Sequence, residues 1–136
     1  MRRLLRLKIV FVFTLACLAF AATASAQFGH PLKGSWSGDW GTGNNNRQHV
    51  VLNLDWDGKA ISGVINPGPN GVTLTTATLD PATWTVHFVG DGKDASGAAV
   101  HIVVDGKIEN LGAFQRFITG TWTQGPQKGT FKVTRN

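Results

Sequence analysis

The sequence predicts an all-β protein, an antiparallel up-and-down meander closed into an eight-stranded β-barrel. Three observations predict it. After residue 30, apolar and polar residues alternate, and no stretch keeps a 3.6-residue apolar period for long. Turn-forming pairs and Gly/Asn/Pro clusters recur about every ten residues. A flat meander of that length would expose two strand edges, which closure removes. A two-sheet β-sandwich is the alternative architecture.

The first element is not part of the barrel. Residues 1–26 read as a secretory signal peptide. Arg2, Arg3, Arg6 and Lys8 form a basic start, and 9–22 is an apolar run too short to span a bilayer comfortably. Ala24-Ser25-Ala26 is a small-residue cleavage site. Residues 27–136 then form a single domain, secreted or periplasmic, with no membrane insertion after cleavage. Four of the 13 Lys/Arg leave with the signal, so nine face eight Asp/Glu, a net charge of +1. That balance argues against a nucleic-acid partner. The one cysteine, Cys17, also leaves, which excludes disulfides and thiol chemistry.

Eight strands follow, at about 33–40, 47–56, 59–66, 71–79, 83–89, 98–104, 107–122 (broken) and 129–135. Alternation assigns their inner faces. Gly34, Trp36, Gly38 and Trp40 share one side of the first. Val50, Leu52, Leu54 and Trp56 share one side of the second. Ile61, Gly63 and Ile65 follow, then Val72 and Leu74, then Trp84, Val86 and Phe88. Val100, Ile102 and Val104 come next. The last two strands contribute Ile118, Gly120 and Trp122, then Phe131, Val133 and Arg135. The opposite faces are mostly polar, as in an antiparallel sheet with one wet side.

The turns predict registers. Asp57-Gly58 as a two-residue loop sets Leu54 opposite Ile61. A hairpin centred near Asp94 sets Phe88 opposite Val100. One centred between Pro126 and Gln127 sets Trp122 opposite Phe131. A tight turn at Asp105-Gly106 would set Ile102 against Glu109, so a bulge or break is expected within 107–116. The run 111–116 reads as a wide loop or a short helical turn.

Two features give the chain a resemblance to the calycin group, which contains lipocalins, fatty-acid-binding proteins and avidins. Gly34-Ser35-Trp36 is a G-x-W at the start of the first strand. Arg135 ends the last strand on the inner face, where calycins keep a basic residue over that Trp. The resemblance implies a barrel and structural roles for Gly34, Trp36 and Arg135. The avidin-type pattern departs in two places. Gly38 or Asp39 stands where a ureido-binding Asn is expected, and Ile65 follows Gly63-Val64 where a Tyr is expected. A biotin site is therefore not expected.

The meander sorts its loops by end. Asp57-Gly58, Asp80-Pro81 and Asp105-Gly106 gather as tight turns at one end, with Trp36, Trp56, Trp84 and Arg135 as a structural plug. Longer loops, 41–46, 66–70, 90–97 and 124–129, gather at the other. Trp40 and Trp122 fall toward those loops, on strands that closure brings near each other. They read as a packed core top or as a pocket wall. With Phe88, Phe131 and Val50 they form the candidate ligand-binding set. Asp39 and Asn46 join it as polar rim, together with Asn44, Asn45, Asn70 and Lys128.

No catalytic constellation or cofactor fingerprint stands out. His87 and His101 are expected opposite each other on the outer face, a weak two-ligand metal pair. The sequence thus points to a non-enzymatic, secreted binding module for a small apolar or aromatic ligand at the long-loop end. The alternative is a structural or protein-interaction domain of the cell envelope. Val51, Val64, Val89 and Val103 face outward there and would carry a homo-oligomer contact.

Overall fold

The computed structural model describes residues 29–136. The signal peptide read at 1–26 lies outside the described residues. Within Leu32–Asn136 eight strands run in chain order: β1 Gly34–Gly41, β2 Arg47–Trp56, β3 Ile61–Ile65, β4 Val72–Asp80, β5 Thr85–Lys93, β6 Ala99–Glu109, β7 Phe117–Gln124 and β8 Gln127–Arg135. Every neighbouring pair is antiparallel, and β8 closes on β1 through Trp36↔Arg135, Gly38↔Val133 and Trp40↔Phe131. The described residues form a closed eight-stranded antiparallel barrel, whose β3–β4 seam is held at Val64↔Thr73 and Ile65↔Val72 alone.

Alternation places the core as the sequence predicts. Trp36, Leu52, Leu54, Val86, Phe88, Ile102, Ile118, Phe131 and Val133 are all buried, and no polar or charged residue among those described is. In β4 one extra residue, Thr75, shifts the register between Leu74 and Thr76. Val72 and Leu74 point inward before that bulge, and Ala77 and Leu79 after it.

The registers differ from those expected, each by an even number of residues, which leaves every face unchanged. The β2–β3 loop is 57–60, not two residues. Leu54 pairs with Gly63, and Trp56 with Ile61. Asp57 Oδ1 accepts from the Lys59 and Ala60 N–H groups at 2.7 Å each, which closes the wider turn. Strand β5 runs on to Lys93, so its hairpin centres on Ser96, and Phe88 faces Val104 rather than Val100. At the last hairpin Gly125 (φ 57°) and Pro126 make the turn. Trp122 therefore faces Gly129, and Phe131 faces Gly120.

Asp105-Gly106 is no turn at all. It lies inside β6, where Gly106 pairs with Val86 on one side and Gly120 on the other. A β-carbon at Gly106 would stand 3.0 Å from Phe131 Cζ. This glycine makes room for an inward ring instead of bending the chain. The break expected within 107–116 is the β6–β7 loop 110–116, and 107–109 belong to β6. That loop is the longest connection, and it sits at the Trp36 end. The expected division into a tight-turn end and a long-loop end therefore fails.

Candidate functional site

The Trp36 end is packed shut. Leu32 and Trp36 are fully buried. Gly34 has φ 138°, a conformation that favours glycine, and Arg135 Nε lies 3.1 Å from where its β-carbon would be. The ring beneath the Arg135 guanidinium is Phe114, 6.0 Å away. Burial, and then the charge of Arg135, push the Arg116 guanidinium below the usual arginine range.

The opposite end is built on two indoles. Trp40 on β1 is cross-strand neighbour to Phe131 on β8 and Gln48 on β2. Trp122 sits on β7 over Gly129, whose missing side chain leaves 2.9 Å between a would-be β-carbon and Trp122 Cζ2. Trp122 Nε1 donates to the Thr130 carbonyl at 3.2 Å, which orients the ring. Closure of β8 onto β1 then brings the rings to 5.3 Å between centroids, tilted by 44°. That is a favourable aromatic geometry. Trp122 is buried, and Trp40 is partly buried, packed against the core.

Beneath the indoles lies a cavity of about 30 Å³ with an entirely apolar lining that includes Val50, Phe88, Val104 and Phe131. That is room for about one water molecule, in a wall with nothing to hold it. The barrel interior is filled by its own side chains. Above the indoles opens a cleft of about 310 Å³, bounded by Trp40, Trp122, Thr42, Asn46, Gln48, Gln124 and Gln127. None of these side chains is charged.

The structure brings five of the seven candidate residues, Trp40, Trp122, Phe88, Phe131 and Val50, around one axis. Asn46 joins them at the rim, its Nδ2 donating to Thr42 Oγ1 at 3.5 Å. Asp39, expected there too, lies on the outer wall. It accepts from Arg47 Nε at 2.8 Å, and Arg47 Nη1 also donates to Thr130 Oγ1 at 3.0 Å. Lys128 pairs with Thr123 on the outer face and is likewise absent from the cleft lining. Gln48, Gln124 and Gln127 were not expected. The signal for the first two was present: the alternation through Val50 and Leu52 runs back to Gln48, and that through Gly120 and Trp122 runs on to Gln124.

The histidine pair is also corrected. The shifted β5–β6 register sets His87 opposite Asp105 and His101 opposite Asp91. His87 Nδ1 lies 2.7 Å from Asp105 Oδ1, and His101 Nδ1 lies 2.6 Å from Asp91 Oδ1. Each imidazole is held by a carboxylate across the strands, with no second histidine beside it. Among the described residues no group of three or more His, Cys, Asp or Glu could hold a metal ion. Comparison with protein-family models, with curated proteins and with solved structures finds no match.

Proposed function

We propose that this barrel is a secreted or periplasmic small-ligand-binding module whose ligand rests an apolar or aromatic face on Trp40 at the open end. The observation that carries this reading is the Trp40–Trp122 pair forming the floor of an uncharged 310 Å³ cleft. The filled interior supports a ligand seated above the indoles rather than swallowed by the barrel. The polarity of the wall supports an aqueous setting, because its apolar side faces inward, the reverse of a membrane-spanning barrel. Native mass spectrometry of the protein purified from its own envelope tests the reading. A discrete extra mass that Trp40→Ala abolishes supports it. A protein that arrives bare from every preparation refutes it.

A second reading, self-association through the outer wall, has one observation in its favour. Val89 and Val103 are cross-strand partners, with His87↔Asp105 on one side and Asp91↔His101 on the other. A second copy turned over about an in-plane axis would set each histidine against an aspartate, so this patch is charge-complementary to itself. Sedimentation velocity of the protein and of Val103→Lys tests it. A dimer that Val103→Lys dissociates would favour this reading, and a monomer at all concentrations would remove it.

A further inference from the structure

We infer that the ligand of this cleft is a neutral saccharide, bound through one pyranose-like ring. The inference rests on the proposed ligand cleft and names its chemical class. It starts from the amides. Gln48, Gln124 and Gln127 lie on the inner face of β2, β7 and β8, Gln48 directly across from Trp40 and the Gln124–Gln127 pair one inward position beyond Trp122, and Asn46 also lines the cleft. Each carboxamide presents one acceptor oxygen and two N–H donors. No side-chain hydrogen bond among the described residues involves the three glutamines, and Gln48 and Gln127 are exposed, so their donors and acceptors are open to a ligand at the cleft mouth.

A wholly apolar ligand pressed onto the indoles would strip water from these amides and return nothing. A charged ligand would fare no better. No charged side chain lines the cleft, and the nearby guanidinium of Arg47 is engaged by Asp39 and Thr130 on the outer wall. What fits both surfaces is an uncharged molecule with an apolar face and an edge of hydroxyls. A sugar ring has that form. Its C–H groups carry slight positive charge and pack on the electron-rich face of the partly buried Trp40. Its paired hydroxyls donate and accept at once, as a carboxamide does. The space above the indoles, equal to about ten water volumes, admits one ring and part of a second.

The test is a neutral glycan array followed by intrinsic-fluorescence and calorimetric titration, with 1-aminoanthracene as an uncharged aromatic probe. The expected result is saturable binding of a neutral glycan. Trp40→Ala should weaken it by ~10-fold or more, and Gln48→Ala and Gln124→Ala by ~3- to 10-fold each. The glutamine variants leave the indole floor in place, so their losses cannot be ascribed to a collapsed site. Trp40-dependent binding of 1-aminoanthracene with no glycan bound would overturn the saccharide assignment and leave the ligand cleft standing. Glycan binding unaffected by Gln48→Ala and Gln124→Ala would also overturn it. If neither class binds, the cleft and the saccharide fall together.

Discussion

Trp36 donates its indole N–H to the carbonyl of Leu32, four residues back, at 2.8 Å, and both side chains are fully buried. The bond fastens the chain entering β1 across the closed end of the barrel. It also gives the G-x-W tryptophan a polar partner where no water reaches. Trp36→Phe keeps a ring and removes the donor, so it should cost about 1–3 kcal/mol. Leu32→Ala empties a packed site and should cost about 2–5 kcal/mol. Urea denaturation of each variant checks both.

Gly120 is a point where the wall tolerates no side chain. A β-carbon there would overlap the Asp105 carbonyl oxygen, a backbone atom held in the β6–β7 ladder. Gly120→Ala should destabilise by about 1–3 kcal/mol or prevent folding. Gly43→Ala meets nothing within 4 Å and should stay within about 0.5 kcal/mol of the parent protein. The contrast, read as denaturation midpoints, separates a steric requirement from a loss of chain flexibility.

The two indoles of the cleft should respond differently to truncation. Trp122 is buried and hydrogen-bonded, so Trp122→Ala should cost about 3–5 kcal/mol. Trp40 is only partly buried, and Trp40→Ala should cost less while losing more affinity per unit of stability. Paired melting and binding curves on both variants test this. Equal stability losses with equal affinity would show that Trp40 is a core residue only.

Asp94 caps the β5–β6 turn. The Ser96 hydroxyl and then the Ala98 N–H, at 2.5 and 3.0 Å, hold its carboxyl below the usual aspartate range. The folded pKa is depressed, so the stabilisation is present above the unfolded pKa and is lost as pH falls through the folded one. The fall should therefore appear only below about pH 4. In Asp94→Asn the corresponding part of the acid-side slope should vanish, as a pH series of melting temperatures would record. Asp57, held down by the Ala60 and Lys59 N–H groups, should behave in the same sense.

Each strand's inward side was legible in the sequence because alternation is a local property with period two. Trp40, Trp122, Val50, Phe88 and Phe131 could be placed on one inner surface without any register. That placement survived three wrong registers, since all three slips were even. Registers depend on where each turn begins, and here that rests on tertiary packing. Asp105-Gly106 carries a strong turn pair, yet the barrel uses Gly106 for space beneath Phe131. Nothing local distinguishes a glycine that bends the chain from one that yields room to a ring.

The sequence by itself determined an inward apolar face, a polar exterior and eight strands, because solvent sorts side chains residue by residue. Only the tertiary structure decided that His87 meets Asp105, that Asp39 turns to Arg47, and that Gln48, Gln124 and Gln127 gather over two indoles. The first two join neighbouring strands of one hairpin, β5–β6 and β1–β2, whose register the packing sets. The third exists only once β8 pairs with β1, because closure is what brings Gln48 of β2 to the same mouth as Gln124 and Gln127 of β7 and β8.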